Sequence, residues 1–235
     1  MSMTRRLLIM ILGCTTLLLG ACGPARASTH SLTPAPVWGA VGDSITFGWG
    51  SSDPATKAYP VLAGVPAAAN PGQCLVASGC WGTPLVSTFA TEIAWLRTTR
   101  GGVNAVVVEI GVNDLPQNIT DTQYVDAYRL LVSTGKAYGT RVILSTITPR
   151  RGLSAAQEAQ RERINTWIRA RDRRVDYAAA LGGDTLLPAY DSGDGLHPSD
   201  AGHAAMAARL VDWIAAHPKL RVPSLTCVRA PCGTR

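Results

Sequence analysis

The feature that most constrains this chain is the run at residues 103–110, which contains Val106-Val107-Val108 and ends at Gly111. A strand with one face in water alternates apolar and polar residues. A strand apolar without interruption is buried on both faces, the condition met in parallel sheets covered by helices. Further strands are expected at residues 37–41, 74–77, 141–146 and 175–177. Helical patterns over 85–98, 122–138, 154–170 and 198–216 fall between and after them. Strand–helix alternation of this kind predicts an α/β three-layer sandwich around a five-stranded parallel sheet.

The flanks read differently. Arg5-Arg6 precede a fourteen-residue apolar run at 7–20, which as a helix spans about 21 Å and is short for a bilayer. A basic start, a short apolar centre and small residues form the grammar of a secretory signal. Leu19-Gly20-Ala21-Cys22 resembles a bacterial lipobox, with Cys22 as the lipidated residue and a membrane anchor. Ala25-Arg26-Ala27 offers a rival cleavage site that would release a soluble product. The resulting organisation is a signal segment at 1–21, a Pro- and Ala-rich linker at 22–36, one domain at 37–217 and a tail at 218–235. Export to the cell envelope or the medium is the expectation.

Export bears on the cysteines. Without Cys14 and Cys22, four remain: Cys74, Cys80, Cys227 and Cys232. An even count in an oxidising compartment suggests disulfides, and the short loops favour Cys74–Cys80 and Cys227–Cys232. No CxxC or nearby histidine completes a zinc site. The net charge of +6 includes the two leader arginines, and much of the rest lies between Arg161 and Arg174, read as the solvated face of one helix. With no focused basic patch or recognisable module, nucleic-acid binding is not expected.

In open α/β sheets, sites form at the carboxyl ends of the strands, and the residues suited to chemistry follow strands here. Gly42-Asp43-Ser44-Ile45 places a hydroxyl on a turn after the first strand, where a base could activate it. Gly111-Val112-Asn113-Asp114 places an amide donor after the strongest strand. Asp194-Gly195-Leu196-His197-Pro198 puts a carboxylate three residues from an imidazole. Pro198 suits a first helical position, which would set His197 at a helix N-terminus. Gly79-Cys80-Trp81-Gly82-Thr83 could aim a backbone N–H at a ligand. Singly, each also reads as an ordinary turn or cap.

In this order, Gly-Asp-Ser, Gly-x-x-Gly, Gly-x-Asn-Asp and Asp-x-x-His-Pro resemble the SGNH hydrolases, the GDSL esterase/lipase family, over about residues 37–216. Arg163-Ile164-Asn165-Thr166-Trp167-Ile168 adds to the likeness. The resemblance implies a flavodoxin-like fold and a serine esterase. Ser44 would be the nucleophile, His197 the base and Asp194 its orienting acid. Ser44, Gly82 and Asn113 would form the oxyanion hole, with Gly79 competing with Gly82 for that place. Ile45 stands where the family usually has leucine. No metal or organic cofactor is implied. The implied substrate is a small-molecule, glycan or lipid ester, and the enzyme is expected to act as a monomer. The Gly-x-Ser-x-Gly elbow of α/β-hydrolases is absent, since Thr46 takes the place of its last glycine. The reading from another class is a non-catalytic envelope carbohydrate-binding protein on the same fold.

Several residues near these motifs have roles that the sequence leaves open. Asp43 and Asp114 are assigned to turn geometry. Among Phe47, Trp49, Tyr59 and Trp81, core packing is favoured over pocket lining for most. Glu109 interrupts an apolar strand and needs a partner. His203 is assigned to packing or capping.

Overall fold

The computed structural model describes residues 37–217. The expected cysteine pair Cys227–Cys232, the lipobox cysteine Cys22 and the leader lie outside that span. Five strands, β1 (Trp38–Gly42), β2 (Ala67–Ala69), β3 (Ala105–Glu109), β4 (Arg141–Ser145) and β5 (Arg174–Val175), form one sheet in the order β2-β1-β3-β4-β5. Every pairing is parallel. All residues of β1 and β3 are buried, as the uninterrupted valines require.

Three helices pack side by side as one layer: α4 (Leu85–Thr99), α5 (Asp121–Ala137) and α6 (Ala155–Arg169). The C-terminal helix α8 (Asp200–Ala216) packs with α3 (Tyr59–Leu62) and α7 (Tyr177–Leu181) as another. Short helices α1 (Ser44–Phe47) and α2 (Pro54–Lys57) complete the set. Both α5 and α6 open with a reciprocal capping box, Thr120/Gln123 and Ser154/Gln157, which satisfies N–H groups that have no intrahelical acceptor.

Three expectations are corrected. The apolar run at 74–77 is a loop, and Ala67–Ala69 takes the edge of the sheet instead. The cause is Asp114, whose carboxylate accepts from the N–H groups of Leu75 (2.6 Å), Val76 (2.8 Å) and Ala77 (2.9 Å). Donors spent on a side chain cannot join a ladder. Pro198 does not open α8. It pairs with Asp191 in an isolated antiparallel bridge, and Ser199 caps the helix through Gly202 N–H. His197 is therefore not at the helix N-terminus. Arg161 is not on a solvated face either. It is fully buried, paired with Glu158 and donating to the carbonyls of Ile147 and Gly183 at 3.1 Å each.

Candidate active site

Two strands reach the site through glycine, β1 at its last residue Gly42 and β3 at Gly111, just past its end. At the end of β1, Gly42 lies opposite Glu109 of β3. A Cβ there would sit 2.1 Å from the Glu109 carbonyl oxygen and 2.2 Å from Thr46 Oγ1, so only glycine lets the chain turn into α1 at this point. Asp43 caps that helix by accepting from Ile45 N–H at 3.0 Å. Ser44 is then the first residue of α1, where its own N–H has no intrahelical acceptor. After β3, Gly111 takes φ +118°, and the carbonyls of Ile110 and Gly111 accept from the buried hydroxyls of Tyr128 (2.7 Å) and Tyr124 (3.0 Å). This fixes the turn that carries Asn113.

The loop after Tyr190 supplies the other partners. It is closed by the Asp191–Pro198 bridge and by Ser192 N–H donating to the His197 carbonyl at 3.0 Å. Inside it, Asp194 Oδ1 accepts from the N–H groups of Leu196 and His197, both at 2.8 Å, while Oδ2 lies 2.5 Å from His197 Nδ1. Burial raises the Asp194 pKa, but the bonds from the His197 ring and from the two N–H groups outweigh it and hold the carboxyl down to about 2. On its other side, His197 Nε2 is 2.9 Å from Ser44 Oγ. Ser44, His197 and Asp194 are thus joined in one hydrogen-bonded line, although 153 positions separate the serine from the histidine.

They meet at a cleft of about 290 Å³. Asn113 lines it, as do Trp49, Trp81 and Arg150. The Asn113 amide donates to Asp43 Oδ2 at 3.2 Å and to the Gln73 carbonyl at 3.0 Å. Both of its hydrogens are therefore directed at protein acceptors, and a third acceptor in the cleft would have to share one of them. Gly79 and Gly72 line the cleft, while Gly82 does not appear in its wall. A Cβ at Gly82 would instead meet the Asn70 amide at 3.2 Å. The Cys74–Cys80 disulfide is formed and ties this loop to itself, with Cys80 in the wall.

Beneath the serine lies a second group of carboxyls, all buried: Asp43, Glu109 and Asp114. Burial raises Glu109 well above the usual carboxylate range, and the charge of Asp43 raises it further. Its Oε2 accepts from Thr46 Oγ1 at 3.4 Å, and Thr46 Oγ1 is 3.1 Å from Tyr59 Oη. That gives Glu109 its partners. Burial likewise pushes Asp43 up to about 7, against the bond from Ile45 N–H and with the Asp114 charge adding to the rise. Asp43 and Asp114 thus do more than shape turns. One holds the Asn113 amide and the other holds the loop at 75–77.

Tyr59 is buried, as packing predicts, but Trp49 and Trp81 face the cleft, and Phe47 is exposed and absent from its wall. His203 is buried, with Nε2 3.1 Å from the Trp49 carbonyl and Nδ1 accepting from Tyr59 N–H at 3.4 Å. Burial lowers its pKa. The neutral ring therefore pins the Trp49 segment, and the Trp49 indole meets the His197 ring edge-on at 5.5 Å.

The sequence profile of the GDSL-like Lipase/Acylhydrolase family matches residues 40–205. The chain belongs to this family. That span contains Ser44, Asn113, Asp194 and His197, and membership makes the GDSL hydrolase an ester-cleaving enzyme. Among solved structures, it is similar to a lipase/acylhydrolase from Enterococcus faecalis (19% identity, TM-score 0.60, covering 76% of this chain and 95% of the other). A GDSL-like lipase from Bacteroides thetaiotaomicron matches at 20% identity and TM-score 0.59, covering 76% and 87%. A family two carbohydrate esterase from Clostridium thermocellum matches at 20% and 0.52, covering 79% and 65%. At such identities the likeness is one of fold, and the fold is the expected one. No curated protein matches the sequence.

Proposed function

We propose that the protein is an exported serine esterase in which Ser44 attacks the ester carbonyl, His197 takes its proton and Asp194 fixes the imidazole. The observation that carries this reading is the unbroken line from Ser44 Oγ through the His197 ring to Asp194. With Nδ1–H bonded to an ionised carboxylate, Nε2 is left as the acceptor that a general base needs. The same nitrogen then returns the proton to the leaving alcohol, and water repeats the sequence on the acyl-enzyme.

The developing oxyanion is met by backbone N–H groups and the Asn113 amide. Ser44 N–H supplies one. Gly82 was the expectation for the second, but Gly72 or Gly79 fits better, since both line the cleft. Asn113 supplies the third by sharing a hydrogen now given to Asp43 or Gln73. Each such donor contributes about 3–4 kcal/mol to transition-state binding. Export is supported by Arg5-Arg6 and the apolar run that follows, and anchoring through Cys22 by the lipobox-like string. The substrate is an ester of a small molecule, glycan or lipid.

The test is Ser44→Ala with 4-nitrophenyl acetate and a fluorophosphonate probe. Turnover should fall by about 10⁶, and labelling should disappear while the circular dichroism spectrum is kept. Ester turnover by the verified variant at the wild-type rate would sink the mechanism.

A further inference from the structure

The cleft holds one full positive charge, and no described residue pairs with it. Arg150 lines the wall beside Ser44, His197 and Gln117, and no carboxylate lines it. The residue is half-buried. Among the described residues, its guanidinium has no ion pair, hydrogen bond or aromatic partner. A partly desolvated cation without a counter-charge costs free energy that a bound anion would return.

Its neighbour makes the contrast plain. Arg151 pairs with Asp191, and its N–H donates to the Gly195 carbonyl at 2.7 Å, so that arginine supports the loop of His197. Arg150 does no such work, yet its backbone is anchored. Three residues before it, Ile147 N–H donates to Asn165 Oδ1 at 2.7 Å. The Ile147 carbonyl accepts from Asn165 Nδ2 at 2.9 Å and Arg161 Nη1 at 3.1 Å. Asn165 and Arg161 are both buried in α6. Two polar side chains taken out of water thus hold the segment from which Arg150 enters the cleft. A guanidinium presented this way is a fork for carboxylate or phosphate oxygens, and its held backbone lowers the ordering cost of using it. The aromatic rim fits a ligand with a flat or apolar body, since Trp81 is 85% exposed there and Trp49 lies opposite the imidazole edge.

Resting on the serine-esterase reading above, we propose that Arg150 is a specificity residue that binds an anionic group of the substrate. The enzyme then prefers esters whose acyl or alcohol part carries a carboxylate or phosphate.

The experiment uses the full chain and matched ester pairs. 4-Acetoxybenzoate against 4-acetoxybenzamide places the charge on the alcohol side, and 4-acetoxyphenyl phosphate repeats that side with phosphate. The mono-4-nitrophenyl ester of adipic acid against its primary amide places the charge on the acyl side. In at least one pair, wild-type kcat/KM should favour the anion by about tenfold or more, mainly through KM. Arg150→Gln should bring that ratio close to one. Arg150→Lys should keep part of it, as a point charge without the fork, and added salt should shrink it. Turnover of the neutral esters with no anionic preference, or a preference that survives Arg150→Gln, overturns the proposal and leaves the serine mechanism standing. No turnover of any ester together with no fluorophosphonate labelling of Ser44 overturns both.

Discussion

Two sets of carboxyls flank the same serine and are held in opposite states. Asp194 lies on a loop with its side chain 49% exposed, and three donors from one short turn keep it ionised. Glu109 and Asp43 lie below the serine without solvent, and burial pushes both upward. The number of donors does not explain the difference, since buried Asp114 accepts from three backbone N–H groups and is also pushed upward. Burial does: Asp194 keeps water on half of its side chain beside a ring N–H and two backbone N–H groups, while Asp43 and Glu109 are fully buried. Burial disfavours the charged form of a carboxyl, so the buried pair is pushed toward the protonated form while the exposed one works as a charge.

The contrast can be broken by removing charge from each site in turn. Asp194→Asn leaves the turn able to form but takes away the anion that orients and stabilises the imidazolium. By analogy with serine proteases, kcat should fall by about 10⁴, with a modest fall in melting temperature at neutral pH, because the ionised Asp194 also stabilises the fold. Steady-state kinetics beside a thermal melt check both halves. Asp43→Asn should act through Asn113, because a carboxamide has one oxygen and cannot accept from both Ile45 N–H and the Asn113 amide as two carboxyl oxygens do. Loss of one aligned oxyanion donor predicts a fall in kcat of about 10²–10³, with KM moving less than kcat. An unchanged kcat would mean that Asn113 is held well enough by Gln73 alone.

Glu109→Gln should have the smallest effect, within about 1 kcal/mol of stability, because burial already disfavours the charged form of the carboxyl it replaces. Its signature is in the pH dependence. Asp43, raised from 3.8 to about 7, binds a proton in the folded state that the unfolded chain has released between those values. Wild-type stability should therefore fall as pH rises from about 4 to 7, and Glu109→Gln should flatten that slope by donating an amide N–H to Asp43. Asp194 has the opposite sign. Its pKa is depressed to about 2, so its contribution is present above about pH 4 and is lost as pH falls toward 2. Melting curves across pH 2–8 for the wild type, Asp194→Asn and Glu109→Gln would separate the windows, and a slope between pH 4 and 7 unaltered by Glu109→Gln would contradict the shared burial.

Much of this arrangement is legible in the chain because strands and turns announce themselves. The valines of β3 imply a doubly covered sheet, and residues that follow strands collect at one edge. The errors arise where a side chain outcompeted a backbone pattern. Cys74–Ala77 looks like a strand by apolarity, and no sequence rule says that the acceptor of its N–H groups is Asp114, thirty-seven or more positions away. Ala67-Ala68-Ala69 has no β-branched residue to mark it. The order of the Gly-x-x-Gly motif points to Gly82, and that order does not reveal that the disulfide loop puts Gly79 in the cleft wall. Arg161 reads as one of the solvated arginines because periodicity gives no sign of the Ile147 and Gly183 carbonyls and the Glu158 carboxylate that take up its guanidinium. Arg150 carried no motif at all. Its isolation becomes visible only once its neighbours are known.

The loop at 191–198 is closed upon itself, and both the acid and the base are inside that closure. Their mutual geometry is consequently set within eight consecutive residues, with Arg151 bracing the loop from outside through Asp191 and the Gly195 carbonyl. Lengthening or shortening the connection before it would move the dyad as a rigid cassette, changing its reach toward the serine without disturbing its internal aim. Such a cassette lets a lineage reshape the mouth of its enzyme while the proton-handling parts are inherited intact.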